Sequence, residues 1–214
     1  MQRTLKTSDL KRAAGQLARM DPALGRVLKL HGPPPLWKRP ATFATLVHVL
    51  LEQQVSIVSA LATFKRLSGA CDGRVTAPRV AELGEDGLRA LGFTRQKARY
   101  AAVLAAKVGA GRFQVGSLRH LPDEQVAMQI TQCLGFGAWS ANVFLLLALA
   151  RPDVLPLGDL ALVKGMHELD GGNYEEPNDL VARAEPWRPY RGVATRMIWQ
   201  LYLTNRNRLE QMPC

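Results

Sequence analysis

The sequence is short of cysteine. Cys71, Cys133 and Cys214 are its three, odd in number and widely spaced. They offer no disulfide framework and no CxxC metal pattern, and they cannot supply a four-cysteine iron–sulfur cluster. The four histidines, His31, His48, His120 and His167, are scattered without ligand spacing. No segment sustains the alternation of period two that a half-buried strand requires, so a sheet protein is excluded and an all-α fold is expected. The longest apolar run, residues 143–150, falls far short of the roughly 20 residues that span a bilayer. The first six residues lack the apolar core of a signal peptide, and a soluble, intracellular, cytoplasmic protein is expected. Internal repeats and low-complexity tracts are lacking too. Acidic residues are in deficit, 18 against 28 Lys and Arg, for a formal net charge of +10. A balance of that sign favours a polyanionic partner, because each neutralised phosphate releases counterions.

What is present is helical spacing. Phe43, Leu46, Val47, Leu50 and Leu51 share one helical face. Val55, Val58, Leu61, Ala62 and Leu67 make another, with Gln53-Gln54 at the joint. Thr94 can cap a helix over residues 95–108. Further helices are expected from Pro122-Asp123 to Leu134, from Asp159 to the Asp170-Gly171-Gly172-Asn173 turn, from Asn178 or Asp179 to Ala184, and over 193–205.

The richest stretch is Leu134-Gly135-Phe136-Gly137-Ala138-Trp139-Ser140-Ala141, followed after the apolar run by Leu157-Gly158-Asp159-Leu160. Two glycines around one apolar residue, between two helical patterns, make a hairpin whose backbone another molecule can approach. Glycine supplies a positive φ and removes the Cβ that would block a phosphate. The helix starting near Ala138 aims N–H groups and its positive dipole end at the same place, which suits an anion. Asp159 heads another helical segment, where aspartate is a favoured N-cap worth about 1 kcal/mol. The same position suits a placed carboxylate acting on nucleic acid, and the residues alone leave both readings open.

This stretch resembles the helix-hairpin-helix DNA glycosylases, whose signature is a Leu-x-Gly-x-Gly-x-x-Thr/Ser-Ala hairpin followed by a catalytic aspartate. Glu52-Gln53-Gln54-Val55-Ser56, Gly92-Phe93-Thr94-Arg95-Gln96-Lys97-Ala98 and Trp187-Arg188-Pro189-Tyr190-Arg191 resemble the family's other landmarks, in its order, and the likeness covers roughly residues 40 to 205. The 3-methyladenine DNA glycosylase II group is the nearest in pattern. The resemblance implies two helical lobes with a cleft between them: residues 42–151 with the hairpin, and residues 1–41 plus 152–214 with the aspartate. It implies a monomer that needs no cofactor, takes double-stranded DNA containing damaged bases, flips out an alkylated base and releases it in base excision repair, associating with the nucleoid in a bacterium.

By the same resemblance Asp159 is catalytic, stabilising the positive charge that builds on the sugar or orienting water. An N-alkylated purine is already cationic and can leave without a general acid, so a single carboxylate suffices. Trp139 stands where bifunctional relatives carry a Schiff-base lysine, which points to monofunctional chemistry. Trp139 and Trp187 are expected to face the base, each indole attracting a cationic ring by about 0.5–2 kcal/mol; plain core packing is the competing reading. Val143, one turn from Trp139, stands where a relative can carry a tyrosine. Gln53 is expected at the substrate and Gln54 as a polar plug in the minor groove, against the plainer reading of a polar joint. Gly135, Phe136 and Gly137 form the phosphate-binding hairpin, with Thr94 and Lys97 as a second DNA contact or an ordinary helix start. Arg188 and Arg191 are expected to be structural or phosphate partners. The carbonyls of Thr131, Cys133 and Phe136 are offered to a monovalent cation. Two rival readings stand beside this one: a non-catalytic hairpin module that binds damaged DNA, and a glycosylase for a neutral base.

Overall fold

The structure, a computed structural model, describes residues 4–211; the first three residues and Cys214, both weighed above, lie outside the described residues. Among the described residues there is no strand. Eleven α-helices follow in order: α1 (Thr7–Met20), α2 (Pro22–His31), α3 (Phe43–Glu52), α4 (Ile57–Ala70), α5 (Ala77–Ala90), α6 (Arg95–Gly109), α7 (Asp123–Thr131), α8 (Ala138–Leu147), α9 (Leu160–Asp170), α10 (Pro177–Ala184) and α11 (Arg191–Thr204). Among the described residues, no helix is long and apolar enough to cross a membrane.

Side-chain caps set several of the starts. Asp21 accepts the Ala23 and Leu24 amides at 2.9 and 3.4 Å and opens α2, with Pro22 in the first position. Ser56 accepts the Ser59 amide (3.2 Å) at α4, and Thr94 the Lys97 amide (3.2 Å) at α6. Each satisfies one of the N–H groups that a helix start leaves without an intrahelical partner. The Ser56 cap also corrects the apolar face read for α4. Val55 precedes the helix, and Val55 and Val58 are 43% and 54% exposed. Ala60, Thr63 and Leu67 make the buried stripe instead.

The chain divides into two compact units, one of residues up to Lys38 together with those from Leu145 onward, the other Arg39–Phe144. Residues 145–151, read from the sequence with the hairpin lobe, thus belong to the first unit. The Leu5 amide donates to the Ala150 carbonyl there (2.9 Å), and Ala150 is part of that unit's core. That core gathers Leu10, Leu17, Leu24, Leu162, Met166 and Met197, among others. Threaded through it is a fully buried cation. Arg196 donates to the carbonyls of Leu36, Gly192 and Leu146, and burial pushes its guanidinium down to about 10. An arginine without acceptors could not remain in such a core.

In the second unit, α3 is buried nearly all round, which its apolar composition requires. Its one acid, Glu52, accepts both arms of the buried Arg39 guanidinium, at 2.7 and 2.9 Å. His48 lies one turn earlier, 3.8 Å from Glu52, and stacks on Phe64 with centroids 4.4 Å apart. Burial holds His48 neutral, lowering its pKa from 6.5 to about 4, with Arg39 assisting and Glu52 opposing.

A buried neutral histidine makes stability depend on acid. The unfolded chain binds a proton at His48 below pH 6.5, whereas the folded chain resists until about pH 4. Stability is therefore complete above pH 6.5 and falls between those values, by up to about 3 kcal/mol. Urea unfolding at pH 7 and pH 4.5 should show His48→Phe losing much less stability on acidification than the unsubstituted protein. Parallel losses would mean that His48 does not contribute this sensitivity.

Candidate active site and nucleic-acid interface

The hairpin joins α7 to α8 in the second unit, and its two glycines do different work. Gly135 has φ +85°, and a Cβ there would overlap the Tyr100 ring. Gly137 lies outside the left-handed region, and a Cβ there would meet open space. The positive φ expected of both thus belongs to Gly135 alone. Its missing side chain serves the fold, while that of Gly137 leaves the backbone accessible. Phe136, between them, is buried against Leu46, Leu104, Phe113 and Ile130, so its side chain anchors the hairpin and only its backbone is available to DNA. Trp139 and Ser140 lie in the first turn of α8, where a helix directs N–H groups outward. Trp139 is half-buried, and Val143 one turn further is buried.

Gln53 and Lys97 depart from expectation. The Gln53 side-chain amide donates to the Gly135 carbonyl (2.8 Å) and to Ser140 Oγ (3.0 Å). Its donors are therefore spent on the hairpin and not offered to a base. The Lys97 ammonium donates to the carbonyls of Leu51 (2.7 Å) and Gln53 (2.8 Å), closing the end of α3, and burial lowers its pKa. Two of the three ammonium donors are thus committed within the fold. Thr94 is an ordinary cap whose residue stays exposed, and Gln54 is exposed at the loop tip with φ +55°.

The hairpin carbonyls are hard oxygen donors of the kind a monovalent cation takes. The Cys133 carbonyl accepts the Phe136 amide at 3.1 Å, and its second lone pair suits a cation. Lys107 also reaches this helix end, its ammonium 3.3 Å from the neighbouring Gln132 carbonyl. Among the described residues, no group of three or more His, Cys, Asp or Glu could hold a metal ion.

Asp159 lies in the first unit at the start of α9. It is 8% exposed, and its Oδ1 accepts the Leu162 amide at 2.8 Å and the Trp199 indole N–H at 3.0 Å. Gly158 (φ +78°) turns the chain into this cap, and the exposed Leu157 and Leu160 flank it. Trp199 escaped the sequence reading. Its signal was available: an indole on a helix buried on nearly every side needs an acceptor, and α11 packs against α9.

Trp187, expected to face the base, is packed into the fold instead. It is 1% exposed in the core of the first unit, its N–H donates to Asp21 Oδ2 (2.8 Å), and the Arg183 guanidinium lies 4.9 Å above its ring. Both its face and its donor are committed within the fold, so it cannot receive a base. Arg191 and Arg188 are structural, as their pairing with Asp153 shows: Arg191 grips both carboxylate oxygens at 2.9 and 3.0 Å, and Arg188 reaches it at 3.1 Å and Glu185 at 2.9 Å.

Comparison with known proteins places this geometry. A Bacillus subtilis protein bearing the DNA-3-methyladenine glycosylase name is 25% identical over 188 residues, 83% of this chain. The chain spans only 65% of that relative's length. A crystal structure of a Bacillus halodurans DNA-3-methyladenine glycosidase matches with a TM-score of 0.76 at 27% identity, covering 93% of this chain and 94% of that one. The fold is shared also with a Schizosaccharomyces pombe 3-methyladenine DNA glycosylase in complex with abasic DNA, at 22% identity and a TM-score of 0.76, over 91% of this chain and 97% of that one. Residues 47–189, which include both glycines of the hairpin and Asp159, match the family described as HhH-GPD superfamily base excision DNA repair protein, and the chain belongs to that superfamily.

Proposed function

We propose that the chain is a monofunctional DNA glycosylase that hydrolyses the N-glycosidic bond of alkylated purines, of the 3-methyladenine and 7-methylguanine type, in duplex DNA. The observation that carries the reading is Asp159: a carboxylate at a helix start, with one oxygen held by a main-chain and an indole N–H. The names of the Bacillus and Schizosaccharomyces relatives support the choice of substrate class.

The chemistry needs little more. Alkylation makes the purine cationic, so it departs with the bonding electrons and requires no acid. Positive charge then develops on the sugar, where the Asp159 carboxylate stabilises it and directs water to the same carbon. The product is an intact abasic strand and a free base. Trp139 presents no amine, so no imine forms at that position. Its half-buried indole offers a cationic base an electron-rich face.

The second unit supplies the grip. The Gly135–Gly137 backbone and the N–H groups at the start of α8 bind a phosphate, and Gln54 enters the minor groove as a polar plug. The carbonyls of Thr131, Cys133 and Phe136 would hold a monovalent cation, which would add positive charge beside that phosphate. The protein acts as a monomer, in the cytoplasm and on the nucleoid of a bacterial cell.

Duplexes each carrying one defined lesion test the reading. Alkylated purines should be released, the abasic strand should break only on alkali treatment, and borohydride added during turnover should trap no protein–DNA adduct. Asp159→Asn should lower release by orders of magnitude. Its folding and duplex binding should persist, because asparagine is a comparable N-cap and its Oδ1 can accept both N–H donors. Near-normal turnover by this variant, or a strong borohydride adduct, would remove Asp159 hydrolysis from the account.

The two hairpin glycines make a second test. Gly135→Ala should cost about 2 kcal/mol or more in thermal unfolding, since it strains φ and overlaps Tyr100. Gly137→Ala should leave stability within about 0.5 kcal/mol while weakening binding to damaged and undamaged duplexes alike at fixed salt. Equal stability losses, or unchanged affinity in Gly137→Ala, would contradict this division of roles.

A further inference from the structure

Three side chains fasten the α3–α4 loop to the hairpin, and two of them stand on α6. Lys97 holds the carbonyls of Leu51 and Gln53. The Gln53 amide, 82 residues from its acceptor in sequence, holds the Gly135 carbonyl and also Ser140 Oγ. Tyr100, one turn beyond Lys97, packs its ring on Gly135, and its hydroxyl accepts from the Gln96 amide at 2.7 Å. One face of α6 therefore sets where both loops stand. The residue next to this anchor is Gln54, exposed, with φ +55° in a region that side chains other than glycine seldom adopt. Such a conformation persists only where its surroundings over-determine it, and here the preceding residue is fixed through both its carbonyl and its side chain.

We propose that Gln53 and Lys97 are positioning residues that fix Gln54 at a set distance from the hairpin, so that phosphate binding drives Gln54 into the duplex. The inference rests on the reading that the second unit grips duplex DNA, and goes beyond it by assigning the coupling between the two contacts. Loops that moved independently could each bind DNA, but phosphate binding would then do no work at the base stack. Opening the stack is unfavourable and must be driven by binding energy from elsewhere. A rigid link through Gln53 lets the hairpin contact supply it.

The variants are Gln53→Leu and Lys97→Met, with Lys97→Arg as the conservative partner that keeps donors for the two carbonyls. In the free protein, amide hydrogen exchange should rise at least tenfold both in residues 52–56 and in residues 133–137 for the first two variants, while the α5 amides stay unchanged. The DNA probe is a duplex with one tetrahydrofuran abasic analogue flanked by 2-aminopurine. Affinity should stay within threefold of the parent protein with the same salt slope, since neither side chain meets a phosphate. The rise in 2-aminopurine fluorescence on binding should fall at least fivefold, as it should in Gln54→Ala. Adding Gln53→Leu to Gln54→Ala should bring no further loss, and Lys97→Arg should restore the signal. Unchanged exchange in either loop, or an unchanged fluorescence rise, would overturn the proposal. So would a collapse of affinity and salt slope together, which would make the tether a support for the hairpin alone. If Gln53→Leu fails to fold, Gln53→Glu, which keeps the length and loses the donor, must give the same pattern. Failure of the parent protein to bind the duplex would defeat the DNA-grip reading itself, whereas the exchange results report the mechanical link separately.

Discussion

Asp159 Oδ1 accepts two N–H groups, one from the main chain of α9 and one from the indole of Trp199 on α11. A buried carboxylate is costly unless its oxygens are hydrogen-bonded, and this pair of donors makes the position tenable. It also fixes orientation, because both bonds fall on the same oxygen and prevent the carboxylate from turning about its own axis. The packing of α11 on α9 thus places the Asp159 carboxylate. Arg196, buried on the same helix and bound to three carbonyls, keeps α11 in place.

The same unit contains a second carboxylate with a matching arrangement. Asp21 caps α2 and accepts an indole N–H, that of Trp187, and it is equally buried. The two differ in their surroundings. Burial alone would raise the Asp21 carboxyl, but Arg183, Trp187 and the Ala23 amide together hold it below its ordinary value. Arg183 lies 2.7 Å away and also grips Asp170. Capping plus an indole is therefore a structural device in this chain; Asp159 is set apart by its place next to Gly158 and the exposed Leu157 and Leu160.

Much of this was legible in the residues, and the failures share a cause. Helical spacing locates α3 and α11, and the Thr94 and Asp159 caps help to locate α6 and α9, to within a few residues, because spacing and caps act locally. The hairpin could be read from its two glycines, yet which of them needs a positive φ depends on Tyr100, a partner on another helix. Gln53 and Lys97 look like a substrate contact and a DNA contact in sequence because a polar side chain carries no mark of its acceptors. Their acceptors are backbone carbonyls, which every residue has. The landmark pattern points to Trp187 and passes over Trp199 for the same reason. Both are indoles near the end of the chain, and only the fold reveals which one donates to Asp159.

The central claim is that Asp159 acts from a geometry imposed by the α9 start and by Trp199. Trp199→Phe tests it most directly, since it keeps an aromatic ring in the core and deletes the donor to Asp159. Single-turnover release of an alkylated purine should fall by about tenfold, the loss of roughly one hydrogen bond to a charged group, while duplex affinity changes little and the variant, less stable than the parent, stays folded at the assay temperature. An unchanged release rate, or a loss that follows affinity and not the chemical step, would contradict the account.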